Sequence, residues 1–278
     1  FNPCVPILSL RLNNRDHRKI LVIDGKVAFT GGINLADEYI NKKVRFGHWK
    51  DSAILVRGEA AWSMTVMFLT LWDYTRETFM EDYDAFRPKW ETPPKGTGYV
   101  QPYTDNPLDG EAVGQTVYLN LINRARRYIY ITTPYLIVDD SMNTALCIAA
   151  KSGVDVRIMT PHIPDKKMVF EVTRAHYGPL LEAGVKIYEY TSGFVHAKNF
   201  AVDDKYGTVG TVNMDYRSLF LHFENGVWLC GDPTVRDIKA DFLATLEKCQ
   251  PITLEQSRAL PWWRKAYRAV LRVFAPLM

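Results

Sequence analysis

One pattern occurs twice in this chain, and it limits what the chain can fold into. HRKILVIDGKVAFTGGIN, starting at His17, is answered by HAKNFAVDDKYGTVGTVN, starting at His196. Each copy reads H-x-K, four residues, D, six residues, G-[GT]-x-N, with 17 positions from His to Asn. His17, Lys19, Asp24, Gly31 and Asn34 thus return as His196, Lys198, Asp203, Gly210 and Asn213. Two ungapped copies of a five-residue pattern are very unlikely to arise by chance. The fold is expected to contain one unit twice, and each copy reads as half of a site.

Strand geometry orders the pattern. ILVID and NFAVD are apolar, β-branched-rich runs, so each copy is predicted on a strand. Alternate residues of a strand share a face, so His17 and Lys19 point the same way, as do His196 and Lys198. Asp24 and Asp203 follow their histidines by seven positions, an odd number, and read as strand-end or structural groups. Gly31-Gly32 and Gly210 permit a tight turn that brings Asn34 and Asn213 back beside the His and Lys.

An imidazole, an ammonium and an amide donor form half of a phosphate site. Two halves facing each other put two His and two Lys around one phosphorus. One His can attack phosphorus and the other can protonate the leaving oxygen, while Lys and Asn hold the charged equatorial oxygens. The scheme needs no metal and no cofactor.

At this point the chain resembles the phospholipase D superfamily, whose signature is a pair of H-x-K-x4-D motifs, and within it the bacterial cardiolipin synthases. The segments GHWKDSAILVRG, YIYITTPYLIVDD, GVDVRIMTPHIPDK, LLEAGVKIYEYTSGFVHAK and TVNMDYRSLFLHFENGVWL extend the resemblance over nearly the whole chain. It implies an α/β fold of two similar domains around a shared cleft, the first incomplete in this chain. It implies a phosphatidyltransferase that makes cardiolipin and glycerol from two phosphatidylglycerol molecules through a phosphohistidine. The catalytic set carried over is His17, Lys19, Asp24, His196, Lys198 and Asp203, supported by Asn34, Asn213, Asp51 and Glu224. His17 resembles the nucleophile and His196 the general acid, although the sequence does not separate the two. Glu224, 11 residues after Asn213, stands where the superfamily places an acid that orients its His, and Asp51 looks like the counterpart in the first half. A departure is His222, where many relatives have Asn.

The expected partners are phosphatidylglycerol and anionic membrane lipid. A net charge of +3 is compatible with such a surface, and without a dense Lys/Arg run no nucleic acid is expected. A lipid hydrolase, a nuclease of the same superfamily and a non-catalytic membrane-binding fragment are the rival readings. The expected location is the cytoplasmic face of the bacterial cell membrane. Relatives carry two membrane helices before the first motif, whereas this chain opens at Phe1, so it reads as a fragment. The apolar run from Ala61 to Trp72 falls short of the roughly 20 residues a spanning helix needs and reads as a buried helix. Cys4, Cys147, Cys230 and Cys249 show no metal-ligand spacing and read as reduced thiols. His48, His162 and His176 read as loop or core histidines, and Tyr135 and Asp165-Lys166 as surface groups.

Four parts are expected: residues 1–88, the remnant of the first domain; 89–98, a Pro/Gly-rich linker; 99–250, the second domain; and 251–278, a tail. In the second part β and α patterns alternate, as in an α/β sheet, with one helix predicted over MVFEVTRAHYGPLLEAG. In the tail, Trp263, Tyr267, Val270, Leu271 and Phe274 recur at helical spacing, opposite Arg264, Arg268 and Arg272. Such a helix suits a lipid interface; it equally suits docking on the domain with solvated arginines. Periodicity does not separate these two.

Overall fold

The computed structural model describes residues 14–77, 79–80 and 82–277. The first motif builds a hairpin of β1 (Leu21–Ile23) and β2 (Val27–Gly31), in register Leu21↔Phe29. A short strand, β3 (His48–Lys50), follows, and β4 (Ala53–Arg57) pairs antiparallel with β2. Helix α1 (Glu59–Arg76) covers this three-stranded sheet, in which β1 is an edge. The apolar run therefore forms a helix buried on one face only: Met64 and Leu69 are enclosed, while Phe68 and Trp72 are exposed.

After an irregular stretch, β5 (Tyr99–Asp105), α2 (Val113–Arg124), β6 (Tyr128–Thr132), α3 (Asp140–Lys151) and β7 (Asp155–Pro161) alternate. They lead through α4 (Lys167–Ala175) and α5 (Tyr177–Glu182) to β8 (Lys186–Tyr190). One helix was expected where α4 and α5 stand. Pro179 has no N–H to bond back to Ala175 and crowds that carbonyl, so the chain breaks at His176. After β9 (Gly193–Val195), the second motif spans β10 (Asn199–Val202) and β11 (Tyr206–Gly210). It is followed by α6 (Tyr216–Phe220) and β12 (Glu224–Cys230). A helix that the sequence reading did not assign, α7 (Thr234–Leu246), precedes β13 (Cys249–Ile252), which runs across the 250/251 junction. The chain ends in α8 (Leu254–Arg258) and α9 (Trp262–Val273).

Eight strands form one mixed sheet in the order β13-β8-β7-β6-β10-β11-β12-β5. β6, β7 and β8 are parallel and the other pairs antiparallel. Every residue of β6 is buried, as an apolar strand covered on both faces should be. One face carries α2 and α3, whose Tyr118, Leu121, Met142 and Leu146 pack on Ile129, Ile131, Ile158 and Phe200. On the other face, Ala28, Ile54, Val56 and Met64 from the first sheet and α1 meet Ala201, Val209, Val227 and Ile238. The two motif-bearing sheets thus share a core. Cys147, Cys230 and Cys249 are free thiols; Cys4 lies outside the described residues.

Candidate active site

The two histidines sit just before the strands predicted to carry them, in extended segments that pair with the opposite half. Asp16 forms a parallel bridge with Phe223, fixed by His17 N–H to Phe223 O (2.9 Å) and Phe223 N–H to Arg15 O (2.9 Å). In the same way β3 pairs parallel with β9, with Lys50 beside Val195 and His196 N–H donating to Lys50 O (2.7 Å). In both places the residue before a His is aligned with the residue before an acid. Each His therefore meets the acid of the other half. His17 Nδ1 lies 2.9 Å from both oxygens of Glu224, and His196 Nδ1 lies 2.8 Å from Asp51 Oδ2. The sequence left open which His each acid orients, and here it is the His of the opposite half. The reason is the two parallel bridges, which put each acid one residue beyond the opposing strand segment.

Residues next to the acids pin the halves. Ser52 donates to Asn199 Oδ1 (2.8 Å), and Asn225, following Glu224, exchanges hydrogen bonds with Thr30. The second glycine of the first motif has a steric cause. A Cβ on Gly32 would lie 2.2 Å from Asp51 Oδ1 and 2.9 Å from His196 O. Its counterpart Thr211 has room for a side chain, and its hydroxyl donates to Glu224.

Burial sets the charges. Glu224 is wholly buried, which alone would raise its pKa. The charge and hydrogen bond of His17, with the nearby His222 imidazole and the Thr211 hydroxyl bond, outweigh burial and hold it well below the usual carboxylate range. Asp51 is likewise lowered against its burial by His196 and by the charge of Lys198. His196, 7% exposed, is pushed down to about 3 by burial and the Lys198 charge, against the pull of Asp51, so it is neutral at pH 7. Lys198 falls to about 7, through burial and the nearby Lys19, while Asp51 and Glu224 oppose the shift. Burial also lowers Lys19. The two ammonium groups thus share one pair of carboxylates.

Lys19 donates to His17 O (2.7 Å), and Lys198 Nζ lies 2.9 Å from His196 Nδ1. Asn34 donates to Tyr39, whose ring stands edge-on to His196 at 5.5 Å. Asn213 donates to Ser218 Oγ (3.0 Å), leaving its buried Oδ1 without a partner. Asp24 and Asp203 are not brought to the imidazoles. Both take positive φ at hairpin turns, and the Asp203 carboxylate accepts the N–H groups of Arg126, Arg127 and Tyr128 at the far end of β10. Asp203 thus holds its turn as a strand-end group, and Asp24 stands exposed at the corresponding turn.

Three further residues belong to the site. Tyr39 and Trp49 wall His196, the Trp49 ring at 5.2 Å. The sequence signal was their place between Asn34 and Asp51. His222 lies 5.7 Å from His17, ring to ring, with Nδ1 3.7 Å from Glu224. His17, His222 and Glu224 bring one ligand atom each within 4.8 Å of one another, a set able to hold a borderline cation such as zinc. Tyr135 is no simple surface group: its hydroxyl donates to Asp165 (2.5 Å) and its ring lies 6.5 Å from Phe194. His162 bonds Glu189, and His176 is a core residue.

The mixed α/β fold with two facing His–Lys half-sites is similar to that of phospholipase D-type proteins, and comparison with known proteins points the same way. A family model described as "Cardiolipin synthase, PLD-like domain" matches residues 118–246 of this chain. Over its whole length the chain is 48% identical to an uncharacterised protein of Streptococcus mutans, of which it covers 60%. It is 39% identical, over 99% of its length, to a cardiolipin synthase of Halalkalibacterium halodurans, of which it covers 54%. The chain thus spans little more than half the length of these relatives. Its fold is similar to the crystal structure of phosphatidylserine synthase from Haemophilus influenzae, with a TM-score of 0.68 at 15% identity, over 94% of this chain and 69% of that one.

Proposed function

We propose that this chain carries the catalytic centre of a phosphatidyltransferase that joins two phosphatidylglycerol molecules into cardiolipin and releases glycerol. The observation that carries the reading is the crossed pair of His–carboxylate contacts, with Lys19 and Lys198 set between them. A carboxylate on Nδ1 leaves Nε2 to do the chemistry.

His17 attacks phosphorus; the P–O bond to glycerol breaks, and the leaving oxygen takes the proton of His196. The hydroxyl of a second phosphatidylglycerol then gives its proton to His196 and attacks the same phosphorus, and the P–N bond breaks. Lys19 and Lys198 hold the phosphate oxygens throughout. His196 is neutral in the free protein, so an anionic phosphate must enter before it is charged. That requirement also supports the exchanged roles, with neutral His196 as nucleophile and His17 as acid. No metal takes part, and the substrate is membrane lipid rather than nucleic acid. The setting proposed is the cytoplasmic face of the bacterial membrane.

The test supplies labelled phosphatidylglycerol in detergent micelles and follows cardiolipin, glycerol and phosphatidic acid together. Cardiolipin with matched glycerol supports the reading, and phosphatidic acid alone makes the protein a hydrolase. Acid-quenched mass spectrometry locates the phosphohistidine and decides between the two role assignments. Full activity in His17→Ala or His196→Ala overturns the scheme.

A further inference from the structure

Helix α9 docks by the wrong face for an ordinary amphipathic helix. Arg264 and Arg268 turn inward to Glu171 on α4, with Arg268 Nε 2.7 Å from Glu171 Oε2 and Arg268 only 7% exposed. Leu271 and Ala275 close the contact against Ile137 and Val172. The apolar residues are left outside: Trp262 is 81% exposed, Trp263 58%, Val270 57% and Val273 76%, with Tyr267 and Phe274 also exposed. At 3.6 residues per turn these six side chains fall within an arc of about 140°. Exposed Lys265 and Arg272 border one edge of it. Both expectations hold in part: the helix docks on the domain, but through Arg264 and Arg268 rather than its apolar stripe, and only Arg272 of the three arginines is exposed.

We infer that this outward face of α9 is the surface by which the protein sits on an anionic lipid bilayer. Three observations favour a bilayer over another occupant. The band combines two Trp and a Tyr with apolar residues and a basic border, the chemistry of the membrane interface. The helix cannot roll its apolar face inward without breaking two arginine contacts to one carboxylate. Its last turn also lies at the site's own loops. Ile137, under Leu271, donates its N–H to Met214 O (2.7 Å), and Met214 follows Asn213. The contact under α9 is thus continuous with the loop that carries Asn213. Among the described residues no helix is long and apolar enough to cross a membrane, so α9 acts by lying in the interface.

The inference rests on the proposed lipid chemistry for its purpose, but the test separates the two. The 278-residue chain is floated with vesicles of phosphatidylglycerol and phosphatidylethanolamine, and with vesicles of phosphatidylcholine alone. The variant combines Trp262→Ser, Trp263→Ser and Val273→Ser. Ile148→Ser, which removes an exposed apolar group from α3, is the control, and thermal melts establish that all forms are folded. The expected result is binding to the anionic vesicles that falls roughly tenfold or more in the triple variant and not in the control. Turnover on vesicles should fall with it, while turnover on detergent-dispersed phosphatidylglycerol stays. Equal binding by the triple variant, or no vesicle binding by the native chain, overturns the inference. A native dimer that the triple variant dissolves, seen by sedimentation, assigns the face to a second copy and also overturns it. Vesicle binding without any lipid product leaves the docking surface standing and removes the proposed reaction instead.

Discussion

Asp51 makes its hydrogen bond to His196, 145 positions away and in the other copy of the motif, at 2.8 Å. Glu224 does the same for His17. Neither half-site is complete without the other half of the chain.

The crossing predicts which residues couple. In a denaturation cycle, Asp51→Asn with His196→Asn should show a coupling of about 1–3 kcal/mol, whereas Asp51→Asn with His17→Asn should add within about 0.5 kcal/mol. Each acid variant should also lower turnover by about 10²–10⁴-fold, the scale of a misdirected acid–base group. Coupling within each motif, rather than across, would mean the bridges are not as described.

Gly32 is predicted to tolerate no side chain. The Cβ of Gly32→Ala would press on Asp51 Oδ1 at 2.2 Å and on backbone His196 O, and only the first can move. The carboxylate shift should cost about 1–3 kcal/mol of stability and most of the turnover. Gly96→Ala, with nothing within 4 Å of the added carbon, should change neither. A melt and a lipid assay on each variant check this.

Acid should unfold the protein early, and the sign follows from the site. His196 titrates near 3 when folded against an ordinary 6.5, and Asp51 and Glu224 also titrate lower when folded. The unfolded chain then binds more protons than the folded one as pH falls below 6.5, so stability drops on acidification through that window. Melting temperature followed from pH 7 to pH 4 should fall steadily, and less steeply in His196→Gln. An equal slope in the variant would remove His196 as a source.

Much of this was legible in the sequence because it is local. Strands β6, β7 and β10 announced themselves as short apolar runs, and the repeat placed His17, Lys19, His196 and Lys198 without a structure. The acids were found without their partners. Which His each acid serves depends on the bridges Asp16–Phe223 and β3–β9, which join segments far apart in sequence and leave no periodic trace. Asp24 and Asp203 share the motif yet stand at its turns, because seven residues of extended chain carry them away from the imidazoles. The apolar stripe of α9 was visible, but its direction was set by Glu171 on another helix.

Metal removal should leave the reaction unchanged, and metal addition should inhibit it. The proposed chemistry uses two imidazoles and two lysines, so dialysis against a chelator should leave turnover unchanged. Added zinc should inhibit, because His17, His222 and Glu224 offer it two nitrogens and a carboxylate within 4.8 Å of one another. Zinc on His17 would remove an imidazole that the reaction needs. His222→Asn deletes one donor while leaving the His17–Glu224 contact, so it should retain activity and require roughly tenfold more zinc for half inhibition. Inhibition curves for the two proteins, with zinc binding measured directly by calorimetry, decide the matter. Loss of activity on chelation would show instead that a metal belongs to the reaction, and the assignment of the leaving-group proton to a histidine would have to be abandoned.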